Sequence, residues 1–382
     1  MKKIIQQAFF QLRNQPLLSV ITVLGTALAI ALIMVILIVY QAKTADYAPE
    51  VNRSRSLYVK WERTVYDKKD PNSAGHSRPS LWLVKEIFYP LTTPEAVTAT
   101  YEGGEVLVGT VGSDEEMNTP LMLTDAAFWK VYQFRFLAGK PFTEADFQSG
   151  MKQAVIAKSV ARRLFGGAEN AIGKDILVNF AAYTVCGVVD DVNRFCEFTW
   201  SEVYAPYTSN AIASEAEAGQ TSGNNVITIL ARSTDDFDAI RNEVARGVAQ
   251  INTTLGDMEL QLMGQPDNFR MQLNRKFANQ YENLNANFWK YGIMILIILL
   301  VPAINLSGLT NTRMRRRLEE LGIRKAFGAT RNELVWQVLN ENLVLTVMGG
   351  LLGLALAYLF LWLMSDWLLQ TCLLYTSPSP RD

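Results

Sequence analysis

Histidine and cysteine are nearly absent from this sequence. His76 is the single imidazole in 382 residues, and Cys186, Cys196 and Cys372 are its only thiols. One histidine excludes multi-histidine metal sites and leaves histidine-based catalysis without support. Three cysteines exclude a disulfide-built mini-fold and a zinc module of paired CxxC motifs. An excess of either charge is missing as well: 36 Lys and Arg stand against 37 Asp and Glu, which excludes a general nucleic-acid binder. Charged residues make up 19% of the chain, below the roughly 25% usual for soluble domains.

That shortage of charge is local. No charged residue occurs between Arg13 and Lys43, between Lys290 and Arg313, or between Glu341 and Asp366. Within these gaps lie apolar stretches at Leu17–Tyr40, Tyr291–Thr312 and Asn342–Ser365. At about 1.5 Å of rise per residue, each is long enough as a helix to span the roughly 30 Å hydrocarbon core. Three transmembrane helices are therefore expected. The first stretch is too long for the h-region of a cleaved signal peptide and reads as a retained anchor.

Charge placement predicts the orientation. Residues 1–16 carry Lys2, Lys3 and Arg13 with no acid, and the 313–341 loop carries seven basic and four acidic residues. The long segment 41–290 carries 25 basic and 31 acidic residues. Short Lys/Arg-rich segments stay in the cytoplasm. The N-terminus and the 313–341 loop are thus placed inside, and residues 41–290 outside. Ile5, Ala8, Phe9 and Leu12 repeat at helical spacing before Pro16. Residues 1–16 read as an interfacial amphipathic helix or simply as a basic flank.

Segment 41–290 mixes strand and helix patterns. Strand-like runs fall at Leu57–Trp61, Val106–Val111, Ala154–Ala157, Asp175–Phe180, Tyr183–Val189 and Val226–Ala231. Glu102-Gly103-Gly104 has the composition of a hairpin turn. Helical patterns fall at Asp125–Tyr132, Ser159–Phe165 and Asp235–Asn252, and a stalk helix is expected over 267–290. The segment reads as a large α+β domain inserted between the first two membrane helices. Its chemistry is sparse. Asp114-Glu115-Glu116 and Asp190-Asp191 are acidic pairs or triplets that suit solvated loops better than a cation site. Cys186 and Cys196, ten residues apart, are open to two readings: a disulfide, or small buried apolar residues. The Gly167–Asp175 stretch resembles a phosphate loop, but its glycine spacing is wrong and Asp175 occupies the Ser/Thr position.

The inside loop is more specific. Met314, Leu318 and Leu321 share one helical face among arginines and glutamates. Gly328 can end that helix in the left-handed conformation, and Thr330 with Glu333 forms a T-x-x-E capping box that begins the next. A short surface helix between two membrane helices is the predicted product. In the spans, Pro302, Asn305, Ser307 and Gly308 mark the second helix, and Gly349 and Gly353 form a small-residue stripe in the third; all are assigned to helix packing.

Residues Glu319–Ala329, reading EELGIRKAFGA, resemble the coupling segment of FtsX/MacB-type ABC transporter permeases. Val301–Leu309 resembles their second membrane helix, and Phe136–Phe142, Val155–Ala157, Ala161–Gly166, Ile172–Lys174 and Tyr183–Asp191 resemble, in order, their periplasmic domain. The resemblance covers about residues 1–370. It implies a non-catalytic permease subunit, paired with a second permease chain in the inner membrane. A separate cytoplasmic ATPase would bind ATP and magnesium, and its motion would pass to the periplasmic domain. That domain would act on an exported substrate, an adaptor or a client. Drugs, antimicrobial peptides, lipoproteins and cell-wall hydrolases are all within the family's range. The ATPase contact falls by resemblance on Arg316, Leu318, Glu320, Leu321, Gly322, Ile323, Arg324, Lys325, Phe327 and Gly328. The family has a fourth membrane helix that this sequence lacks, and residues 371–382 read as an artefactual tail on a longer native chain. A membrane-anchored ligand-binding receptor or scaffold without an ATPase is the alternative function.

Overall fold

The computed structural model describes residues 16–110, 116–275, 277–278, 289, 292–300, 303, 322–323, 325–328 and 330–370. The chain divides into two units: Lys43–Glu282 forms one, and the helical segments on either side of it in sequence belong to the other.

In the helical unit, α1 spans Pro16–Thr44. Two stretches among the described residues are long and apolar enough to cross a membrane, Val20–Gln41 and Leu343–Leu363. Of the second expected span, residues 292–300 and 303 are described and helical. Pro302, Asn305, Ser307 and Gly308 lie outside the described residues, as does the amphipathic segment 1–15.

Chain order in the other unit runs β1 (Ser56–Val59), β2 (Glu62–Val65), β3 (Ala74–Pro79), α2 (Leu81–Leu83), β4 (Ala96–Thr110) and β5 (Glu116–Thr124). There follow α3 (Phe128–Val131), β6 (Phe136–Gly139), α4 (Glu144–Gln148), β7 (Gln153–Ala157), α5 (Lys158–Phe165) and α6 (Ala168–Ala171). Next are β8 (Asp175–Val178), β9 (Ala181–Val189), β10 (Val203–Pro206), α7 (Ala211–Ser214), β11 (Ser222–Gly223) and β12 (Asn225–Leu230). The unit closes with α8 (Phe237–Thr254), β13 (Glu259–Gln261), β14 (Asp267–Asn268) and α9 (Phe269–Asn274). This is a mixed α+β body, as the sequence pattern suggested.

Ten strands form one sheet in the order β14-β1-β12-β4-β5-β10-β7-β9-β6, with β8 pairing both β4 and β9. That extra pairing closes β4, β5, β10, β7, β9 and β8 into a ring. β5–β10 and β7–β9 are its parallel pairs, and the rest are antiparallel. The ring removes free edges from those six strands. β11, β3, β2 and β13 make a separate four-stranded sheet.

Glu102-Gly103-Gly104 is not a hairpin turn. It lies inside the fifteen-residue β4, where the register against β5 slips between Glu102 and Gly104. The bulge lets one edge of β4 serve two partners in succession: Ala96–Tyr101 pair with β12, and Val108–Thr110 pair with β8. An extra residue bends a strand and increases its twist, which here aims the second half of β4 into the ring. At the start of the expected 267–290 stalk, α9 covers Phe269–Asn274 and Arg275 leaves helical geometry with ψ 105°; of the remainder, only 277, 278 and 289 are among the described residues.

Burial along β9 alternates at first, with Tyr183 and Val185 inside, and is then continuous over Gly187, Val188 and Val189, as expected of a strand paired on both edges inside the ring. The aromatic rings of Phe128, Trp129, Phe134 and Tyr204 pack edge to face or tilted within 6 Å of one another, and Phe142 joins them through Trp129, a geometry that aligns ring edges with ring faces.

Candidate functional site

The predicted coupling loop ends as expected for a helix terminated by glycine. Residues 322–323 and 325–326 are helical, Phe327 and Gly328 form a turn, and Gly328 has φ +93°. Phe327 N–H donates to the Ile323 carbonyl at 3.0 Å, and Gly328 N–H donates to that of Lys325 at 3.1 Å. The turn then leads into α10 (Arg331–Gln370), a single helix that carries the Leu343–Leu363 stretch. Ile323 is 59% and Phe327 89% exposed. Two large apolar side chains therefore sit uncovered on a basic segment, which is unusual for a loop shaped by charge alone. Arg316, Leu318, Glu320, Leu321 and Arg324 lie outside the described residues.

Gly349 and Gly353 lie where α10 meets α1. A Cβ on Gly349 would come within 2.8 Å of the Thr26 Cβ, and one on Gly353 within 2.6 Å of the Ala27 carbonyl oxygen. Leu345, Gly349, Gly353 and Ala357, four apart, are all buried, and the two glycines face Thr26 and Ala27. Removing side-chain bulk lets the two backbones approach closely, which is how helices associate where no water drives them together.

At the start of the Lys43–Glu282 unit lies a buried ion pair that the sequence reading did not single out. Arg53 Nε donates to Glu50 Oε2 at 2.7 Å, with both side chains fully buried. One guanidinium NH2 group donates to the carbonyls of Ala45 at 2.7 Å and Lys43 at 3.4 Å; the other donates to the Phe195 carbonyl at 3.0 Å and reaches Cys196 Sγ at 3.5 Å. α1 ends at Thr44, so Lys43 is among the last residues of the helix, whose carbonyls have no partner in the next turn. A cation there also suits the helix dipole. The guanidinium lies between the rings of Tyr47 and Phe269, 4.3 and 4.9 Å from their centroids. Glu50 Oε1 accepts from Phe198 N–H and Thr199 Oγ1, each at 3.0 Å. Burial works against the charge on Arg53, but the Glu50 carboxylate and Tyr47 together more than offset it, so the guanidinium stays cationic.

A second buried pair stands where the chain leaves the unit. Asp267 accepts from Arg275 Nε and, at 3.0 Å, from Nη2. Arg275 also donates to the carbonyls of Met263 and Ala278 at 3.1 and 3.2 Å. In sequence, Glu50 and Arg53 look like ordinary loop charges; their only signal is an acid and a base three apart just beyond a membrane span.

Nothing comparable is arranged for catalysis among the described residues. No group of three or more potential metal ligands is found there, and His76 is exposed on β3. Cys186 and Cys196 are both free rather than disulfide-bonded. Burial pushes their thiols up to about 12 and about 11, which suppresses the reactive thiolate. Asp190 faces Arg135 and Lys158 at 3.8 and 3.7 Å, and Asp191 accepts from Ser159 N–H at the start of α5, so this acidic pair is engaged within the fold. Asp114 and Glu115 lie outside the described residues.

Glu62 is a different case. Fully buried, it accepts from Thr64 Oγ1 at 2.7 Å and Ser222 Oγ at 3.1 Å. Burial raises its carboxyl to about 7, with the two hydroxyls opposing. A raised folded value means that the fold favours the protonated acid. This contribution is complete below the ordinary carboxyl value and is lost as pH rises through about 7. Glu62→Gln should flatten the dependence of stability on pH between 5 and 8, removing a slope worth on the order of 2–3 kcal/mol. Thermal unfolding of the full chain in detergent across that range measures it; an unchanged slope would assign the titration to another group.

The MacB-like periplasmic core domain matches residues 19–246, and the FtsX-like permease C-terminal domain matches residues 292–377. The chain is 23% identical over 345 residues to the uncharacterized ABC transporter permease YknZ of Bacillus subtilis, covering 89% of this chain and 81% of that protein. It is 25% identical over 359 residues to the macrolide export ATP-binding/permease protein MacB of Wolinella succinogenes, covering 92% of this chain but only 52% of that protein. Among solved structures, the extracellular domain of YknZ overlaps 54% of this chain and 99% of its own length, at 19% identity and a TM-score of 0.39. The periplasmic region of MacB from Actinobacillus actinomycetemcomitans overlaps 57% and 94%, at 14% identity and 0.39.

Proposed function

Because this chain belongs to the MacB-like periplasmic core domain family and carries an FtsX-like permease domain, making it an ABC transporter permease of the MacB/FtsX type, we propose that it converts ATP hydrolysis in a partner into movement of its extracellular domain. The ATPase docks on the segment around Gly322–Gly328 and supplies the ATP and magnesium chemistry. A second permease chain completes the assembly, and the N-terminus and coupling segment face the cytoplasm across the inner membrane. The moving domain exports or releases a substrate, or activates a client or adaptor outside.

The observation that carries this reading is the exposed turn at Phe327–Gly328 with the exposed helical residues 322–323 and 325–326 before it. Ile323 and Phe327 offer apolar anchors of the kind that fill a pocket on a partner. The turn leads directly into the forty-residue α10, so a displacement of the anchors has a stiff element to follow. A receptor without an ATPase would have no use for such anchors on a basic loop.

Charge reversal at Arg324 and Lys325, or Gly328→Pro, tests the reading. Proline holds φ near −65° and cannot replace a residue at +93°. Both variants should reach the membrane yet lose about tenfold or more in co-purification with the ATPase. Unchanged recovery of the ATPase in both would remove the docking assignment.

A further inference from the structure

The Arg53–Glu50 pair has a place in the fold that ordinary core packing does not require. Its hydrogen bonds and cation–π contacts reach three segments that are far apart in sequence. The first is the end of α1 and the chain just after it, through the carbonyls of Lys43 and Ala45 and the ring of Tyr47. The second is the loop 195–199, through the Phe195 carbonyl, Cys196 Sγ, Phe198 N–H and Thr199 Oγ1. The third is the start of α9, through the face of Phe269. Thus the arriving chain and the departing chain both press on one guanidinium, and the same ion pair grips a loop from the middle of the domain. Tyr58 adds a second link, its ring 4.3 Å from Phe198 and 5.7 Å from Phe269.

Loop 195–199 is in turn tied to the ring of strands. Tyr204, on β10, donates its hydroxyl to the carbonyls of Thr199 and Ser201 at 2.7 and 2.8 Å. β10 lies between β5 and β7. The departing chain is held rigidly on its own side by Asp267 and Arg275. A displacement of the arriving chain against the departing one would have to slide Tyr47 or Phe269 off the guanidinium, or break a buried charge-assisted hydrogen bond. Moving all three segments together disrupts none of these contacts.

We propose that Arg53 and Glu50 are positioning residues that lock the arriving and departing chains to loop 195–199, so that the base of the extracellular domain moves as one body. This rests on the reading that an ATPase drives the permease. The pair is a joint and not a hinge: its work is to prevent the two legs from moving independently.

Two variants separate this role from simple stability. Arg53→Met combined with Glu50→Leu removes both charges while keeping the volume filled, an exchange that buried ion pairs often tolerate without loss of stability. Phe269→Leu leaves the ion pair intact and removes the aromatic face that links it to the departing chain. Each is assembled as the full chain with its ATPase in nanodiscs, and amide hydrogen exchange is followed with and without ATP plus vanadate. In the wild type, the nucleotide should shift protection together in 43–55, 193–200 and 267–275. In the double variant, resting protection and ATP hydrolysis should remain, while the nucleotide-dependent change over 193–200 shrinks about tenfold. In Phe269→Leu, the response over 267–275 should separate from the other two. A wild-type response that survives unchanged in both variants overturns the joint alone. A wild type with no nucleotide response in any of the three segments overturns the joint and the ATP-driven reading together.

Discussion

Arg53→Ala, as a single substitution, should destabilise the Lys43–Glu282 unit by about 3–5 kcal/mol. The loss comes mainly from what the substitution leaves behind. Glu50 would remain fully buried with Phe198 N–H and Thr199 Oγ1 as its remaining donors, and the carbonyls of Ala45 and Phe195 would lose their partner. Burial already pushes the Glu50 carboxyl up against the pull of Arg53; without the guanidinium that push is unopposed by any cation of the pair, and the acid should take up a proton. The variant should therefore be less destabilised at pH 5 than at pH 8. Chemical unfolding of the full chain in detergent at both pH values reads the effect. A loss below about 1 kcal/mol would mean that the pair contributes no more than an exposed one.

Asp125→Ala should cost about as much, for a different reason. Asp125 is 4% exposed and accepts four hydrogen bonds. They come from Thr98 Oγ1 at 2.6 Å, the Tyr89 hydroxyl at 2.7 Å, Ala99 N–H at 2.9 Å and Phe128 N–H at 3.0 Å. Here a single carboxylate accepts from the first amide of α3, holds β4, and meets the Tyr89–Tyr207 hydroxyl pair. Alanine would leave buried donors without an acceptor, at about 1–3 kcal/mol each where neither water nor rearrangement satisfies them. The expected total is about 4 kcal/mol. Asp125→Asn keeps the shape and one acceptor oxygen, but turns an NH2 toward groups that themselves donate, so it should fall between alanine and the wild type. Equal unfolding midpoints for the asparagine variant and the wild type would show that the donors find other acceptors.

The two predictions concern residues of unequal visibility. Asp125 opens a helical pattern that is readable in sequence, with an acid placed as helix starts prefer. Arg53 carries no such local mark. Its partners Phe195 and Phe269 lie 142 and 216 positions away, and only folding brings them to the end of α1. The strands missed in the sequence have comparable causes. β5 carries Pro120, and β3 is the polar run AGHSRP. Each is held by pairing with a neighbour more than by its own propensity. The glycine pair at 103–104 was read as a turn because a bulge and a turn share the same composition.

The features that the sequence determined by itself are those whose physics is local. A charge-free run of sufficient length selects a membrane helix without reference to the rest of the chain. Gly328 marks the end of its helix because few other residues tolerate a positive φ. Alternating apolar residues select strands, and the order of motifs was enough to indicate the family. Tertiary structure alone decided the closure of six strands into a ring through β8, the packing of Gly349 and Gly353 against α1, and the gathering of both chain crossings around Arg53. Those depend on pairings across tens to hundreds of residues. Their stabilisation is realised only when the partner arrives, so no local pattern in the sequence needs to announce them.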